Sequence, residues 1–192
     1  MSDPNAHPDH LISPRTLVIT GMIAVAVAVR LFVHFVPGVF PYNFTPVAAM
    51  ALFGGAYFSN RKLALLVPLL AMFVADMVIG LQTLSPVVYL CFAAMVLVGM
   101  LVLRGRTSAL RVGLTAVGSA TGFYLVTNFS VWLGSGMYAM SASGLLACYI
   151  AGLPFYQYGS LPGTLVWSTL LFGGFALLTR RFSALRLQPL AV

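Results

Sequence analysis

The chain has 192 residues, 60% hydrophobic and 7% charged, with a formal net charge of +7. Soluble domains carry about 25% charged residues, so this composition excludes a soluble globule, and the length leaves room for one membrane domain and no separate soluble one. The basic residues lie in short clusters between apolar runs, a pattern of membrane orientation and not of nucleic-acid binding.

Residues 1–15 are polar, contain three prolines and read as a disordered cytoplasmic tail. They lack the charged start and small-residue cleavage site of a signal peptide, so the first span is expected to insert the chain. Span 1 runs from about Thr16 to Val36. Its Ala24-x-x-x-Ala28 motif lets another helix approach closely, within the bundle or as a docking face for a partner. Arg30 and His34 lie four apart near its end and share one face. Pro37-Gly38 and Pro41 break the helix. Span 2, from about Phe44 to Phe58, is short for a crossing and is expected to tilt or to start below the surface. Its Gly54-Gly55 pair permits close packing.

Span 3 covers about Leu63 to Gly80 and contains Pro68 and Asp76, the sole acidic residue after position 9. Gln82 lies in the uncharged loop that follows. Span 4 runs from about Val87 to Leu103, with Tyr89 and Cys91 near its start. Span 5 runs from about Val112 to Leu133 and carries Asn128 and Trp132 near its end. The connection 134–160 is uncharged and contains Tyr138 and Cys148. Its apolar centre, near 142–153, suits a short re-entrant or interfacial helix. Span 6 covers about Leu161 to Thr179, and residues 181–192 form a C-terminal tail.

Nine of the ten basic residues fall in the N-terminus, the 2–3 and 4–5 turns and the C-terminus, and none in the other connections. The positive-inside rule then gives an all-α, six-span domain over residues 16–180 with both termini cytoplasmic. The tenth basic residue is Arg30. It lies about fourteen residues up span 1, and Asp76 about fifteen up span 3, so both should stand ~20 Å above the cytoplasmic end. A carboxylate there costs a few kcal/mol unless something offsets it. An Arg30–Asp76 ion pair is therefore expected, either locking spans 1 and 3 or sharing a polar ligand. His34, Asn43, Phe44, Tyr89, Cys91, Asn128, Trp132 and Tyr138 cluster toward the same end. Together with Arg30 and Asp76 they suggest an outward-facing substrate pocket roofed by the connection 134–160. His34 is a weak candidate metal or heme ligand, or an interfacial hydrogen-bonding residue. Cys91 is a candidate soft ligand, or an inert thiol, and pairing with Cys148 stays open.

No P-loop is present, and HExxH, CxxC and GxSxG are absent. The chain has no carboxylate pair for acid–base work, so nothing in it requires an enzyme and no cofactor of its own is expected.

Asn43-Phe44-Thr45-Pro46 leading into ALFGGAYF, the GLLACYIAGLPF and VTNFSVWL runs and Asp76 resemble a family of uncharacterised six-span bacterial inner-membrane proteins, over about Arg30 to Gly174. A looser resemblance runs to the S components of energy-coupling factor (ECF) vitamin transporters. It implies that Ala24 and Ala28 dock an ECF-type energising module. Within that group the chain looks most like the solitary cobalamin-uptake proteins, which implies cobalamin as substrate and Cys91 as ligand to its cobalt. Two alternatives stand beside this. One is a membrane scaffold with a structural Arg30–Asp76 pair. The other is an ion-coupled carrier or membrane enzyme using Asp76.

Overall fold

The computed structural model describes residues 13–80 and 85–186, so Gln82 and most of the expected N-terminal tail lie outside the described residues. These form seven α-helices: α1 (Pro14–Phe35), α2 (Val47–Tyr57), α3 (Arg61–Ile79), α4 (Pro86–Val98), α5 (Ala109–Gly134), α6 (Ala142–Phe155) and α7 (Leu161–Arg181). No strand occurs among the described residues. Five helical stretches are long and apolar enough to cross a membrane: α1, α3, α4 with its C-terminal turn, α5, and α6 joined to α7. The sixth expected span is α2, and it is too short. Its 11 residues rise about 16 Å, half of a ~30 Å hydrocarbon core.

Helix α2 is the centre of the fold. It touches α1, α3, α4, α5 and α7, and all its residues from Ala49 to Ala56 are buried. A helix that is apolar all round belongs in a core. Small residues allow the close approach. A Cβ on Gly55 would meet the carbonyl of Val96 and the backbone of Gly99, and one on Gly99 would meet the carbonyl of Leu52. Gly54 faces the Pro68 ring of α3. The glycine pair of α2 is thus consumed inside the bundle and is not a face for other subunits. At the same crossing α4 ends in a π turn, Gly99–Leu103, the kind of local insertion that lets one helix bend around another. Phe53 and Tyr57 of α2 pack edge-on or tilted against Phe172 and Phe175 of α7.

The last carbonyls of a helix lack intrahelical partners. At the C-terminus of α2, Arg15 donates from Nη2 to the Tyr57 carbonyl at 3.2 Å, and Arg104 donates to the Phe58 carbonyl at 2.6 Å. Cations here also face the negative end of the helix dipole. Arg15 further donates to the Leu185 carbonyl at 2.7 Å and lies over the rings of Tyr57 and Phe175. This corrects the expected tails. Ser13 caps α1, which begins at Pro14, and a 3-10 turn, Ser183–Leu185, folds back so that Leu185 is buried. Both ends of the described chain therefore sit at one end of the bundle.

The helix expected near 142–153 is present but is not a separate re-entrant segment. Helix α6 runs through a π turn, Tyr156–Ser160, directly into α7. Pro154 lies inside this stretch without ending it. The π turn that follows absorbs the register change that its missing N–H imposes. The combined 40-residue helix is about 60 Å long, and α6 packs along α5. Gly152 faces the Asn128 side chain, and the Tyr124 hydroxyl donates to the Tyr149 carbonyl at 2.6 Å.

Gly55→Ala is expected to destabilise the protein by about 1–3 kcal/mol or more, because the new methyl meets backbone that cannot yield. Gly118→Ala, on an open face of α5, should be neutral or slightly stabilising. Thermal unfolding of both variants in detergent checks this.

Candidate functional site

Asp76 of α3 is wholly buried. Its Oδ1 accepts a 2.5 Å salt bridge from Arg30 Nη2 of α1, and its Oδ2 accepts a 2.7 Å hydrogen bond from the Tyr89 hydroxyl of α4. One carboxylate thus ties three helices, and each of its oxygens already accepts a bond. The pairing expected from equal depth along spans 1 and 3 forms. Tyr89 completes it, as a hydroxyl donor suits the second oxygen of a carboxylate withdrawn from water.

Beside this triad is a cavity of about 240 Å³. Arg30 and Asp76 border it on one side, and Met72, Val88, Phe92, Met95 and Phe123 give it an apolar wall. Asn43, Thr45, Ser160 and Thr164 supply polar groups. Two further chambers adjoin it. One, of about 450 Å³, lies between α1 and the segment 36–46 and contains His34 and Arg30. The other, of about 190 Å³, lies against α5 and contains Thr127, Asn128 and Tyr156. Asn43 borders all three. Its φ is 65°, in the left-handed region that asparagine tolerates better than most residues. This reversal, with the Phe44 N–H bonded to the Pro41 carbonyl at 3.1 Å, turns the segment 36–46 down into α2.

The residues expected at one pocket are therefore divided. Arg30, Asn43 and Asp76 meet at the main cavity, and Tyr89 lies behind it as a support. His34 reaches only the chamber under 36–46, with its ring edge-on to Phe35. Asn128 lines the smaller chamber, and its Nδ2 donates to the Tyr124 carbonyl at 2.8 Å. Phe44 stacks on Phe40, meets Trp167 edge-on and packs against Gly163, so it is a wedge beside the cavity. Trp132 donates to the Ala139 carbonyl at 2.9 Å and closes the α5–α6 turn, where Tyr138 also sits. Neither borders any of these chambers. Cys91 opens onto a separate groove of about 380 Å³ between α4 and α5, lined by Ala94, Gly118 and Gly122 among others. Cys148 is buried, its thiol directed at the Asn128 carbonyl, and both cysteines are free. Among the described residues no three His, Cys, Asp or Glu side chains gather to hold a metal. Ala24 and Ala28 are exposed on the outer face of α1.

The roof also differs from expectation. The segment 36–46 borders the main cavity through Asn43 and Thr45. The connection 134–160 reaches it only at Ser160. Sequence reasoning did not single out Thr45, Ser160 and Thr164 as site residues. Ser160 and Thr164 stand one turn apart, and Thr164 is buried with its hydroxyl turned back to the Ser160 carbonyl at 2.7 Å. That spacing was the available signal.

Asp76→Asn should cost about 3–5 kcal/mol, since it leaves the Arg30 guanidinium largely buried without its counter-charge. Tyr89→Phe should cost about 1–3 kcal/mol by leaving one carboxylate oxygen unbonded. The double variant Arg30→Leu/Asp76→Leu should be less destabilised than Asp76→Asn alone. A double-mutant cycle on thermal or denaturant unfolding reads all three.

No curated protein and no solved structure matches the chain. Residues 10–185 match a family of unknown function, DUF6580. That match covers nearly the whole chain, including every helix that builds the cavity, and the protein belongs to this family.

Proposed function

We propose that the chain is a solute-binding subunit of a membrane transporter, holding a small molecule in the cavity bordered by Arg30 and Asp76. One observation carries this reading: an apolar bundle holds a cavity lined by a buried ion pair and four polar side chains. Polar and ionisable groups inside a membrane are costly and mark substrate paths, and ligand sites combine apolar walls with a few placed polar groups. With nine basic residues assigned to the cytoplasmic side, both termini are cytoplasmic and the cavity lies in the outer half of the membrane. The bacterial inner membrane is the setting this implies. The chain has no nucleotide-binding loop, so active uptake requires a partner such as an ECF-type energising module. The small-residue face of α1 at Ala24 and Ala28 is open for it.

Cobalamin fits this site less well than a smaller solute. A cavity of roughly 150 Å³ holds one benzene ring, and 240 Å³ is far short of a corrinoid. Cys91, the candidate cobalt ligand, opens onto a different groove. A carrier or enzyme that uses Asp76 is also less supported, because Asp76 is wholly buried and paired with Arg30.

A scaffold role remains the second reading, favoured by the way the triad ties α1, α3 and α4. Native mass spectrometry of the protein released from lipid nanodiscs separates the two. The expected result is a co-purifying small molecule that is lost in Ala120→Phe, which fills the cavity from its wall while the helical content persists. Absence of any bound solute, with Ala120→Phe as active in complex assembly as the parent, would favour the scaffold.

A further inference from the structure

Resting on the solute-binding reading, we infer that the cavity selects a solute by an acceptor oxygen, a carboxylate or carbonyl at one end of a small apolar body, and rejects cations. Asp76 makes the site look suited to a cation, but its charge is already balanced by Arg30, and Tyr89 donates to its other oxygen. Each oxygen keeps a further acceptor direction, yet the Asp76 side chain is 1% exposed against 15% for Arg30, so the guanidinium and not the carboxylate is the accessible member of the pair.

The spare capacity at this wall is of the opposite kind. Arg30 borders the cavity, and its Nη1 is buried with no hydrogen-bond partner. A guanidinium presents donors and no acceptor, so whatever satisfies Nη1 must bring an acceptor oxygen. Helix α2 acts in the same direction. It begins at Val47 without a side-chain cap, and Val47 and Ala48 line the cavity. First-turn N–H groups lack intrahelical acceptors, and the positive end of the dipole favours an oxyanion or carbonyl. The two ends of α2 are treated differently, since its C-terminal carbonyls already receive Arg15 and Arg104. Phe92 and Phe123, with ring centroids 5.3 Å apart, add aromatic surface to the lining. The volume of this chamber by itself suits a body of about one ring or a short chain.

Three one-ring probes test this on the full chain in detergent at constant ionic strength: benzoate, acetophenone and benzamidinium. Benzoate or acetophenone should raise the unfolding temperature in a saturable way, with an apparent affinity at least tenfold above that of benzamidinium. The carbonyl stretch of bound acetophenone should move to lower frequency than in hexane, which reports the donor directly in the parent protein. Arg30→Lys keeps a cation beside Asp76 but loses the planar fork, and should weaken the acceptor probe at least tenfold. Equal or tighter binding of benzamidinium, or an unshifted carbonyl, overturns the acceptor class and leaves solute binding intact. No saturable shift with any probe overturns the acceptor class, and the absence of a co-purifying solute overturns the reading beneath it.

Discussion

The fold depends on burying a helix that is too short to reach either side of a membrane. Helix α2 spans about 16 Å, and its backbone ends cannot be left unbonded in an apolar medium. Arg15 and Arg104 answer this at the C-terminal end by donating to the Tyr57 and Phe58 carbonyls. Those two arginines also belong to the basic clusters from which the positive-inside rule predicts orientation. The same charges therefore carry that expectation and terminate the central helix. The ordered start of α1 and the turn at Ser183–Leu185 follow from this, since both are held by Arg15.

The other end of α2 explains why a cavity exists at all. A short central helix surrounded by longer ones leaves space above its N-terminus, and the segment 36–46 only partly fills it. Asn43 and Thr45 border that space, and Ser160 of the π turn and Thr164 of α7 line it as well. The Arg30–Asp76–Tyr89 triad then sets the height of the wall by fixing α1, α3 and α4 against one another. A paired and hydrogen-bonded carboxylate can persist in such a place where an isolated one would not. Replacing the pair with apolar residues need not lower stability.

The long α6–α7 helix gives the bundle its asymmetry. Helix α6 packs along α5 and stays apart from the others. Its bonds to α5 are side chain to backbone: Tyr124 to Tyr149, Cys148 to Asn128, Tyr149 to Leu125. These satisfy polar groups locally in a stretch that contains no charged residue from Val112 to Thr179.

Much of this was legible along the chain. Composition required helices in a membrane, since only apolar residues are numerous enough to face lipid. The constant helical rise made depth readable, and equal depth with opposite charge brought Arg30 and Asp76 together before any packing was known. The shortness of span 2 and the closeness allowed by Gly54-Gly55 were also visible. Tertiary structure alone decided which way each helix faces. In helices as uniformly apolar as α2 and α4, hydropathy marks no inner side, so nothing along the chain showed that Tyr89 turns to Asp76 while Cys91, two residues later, turns to the α4–α5 groove. A hundred-degree step per residue separates neighbours that share a depth. For the same reason Trp132 and Tyr138 matched the site in height and not in direction, and Thr45, Ser160 and Thr164 became its wall only when three distant segments met.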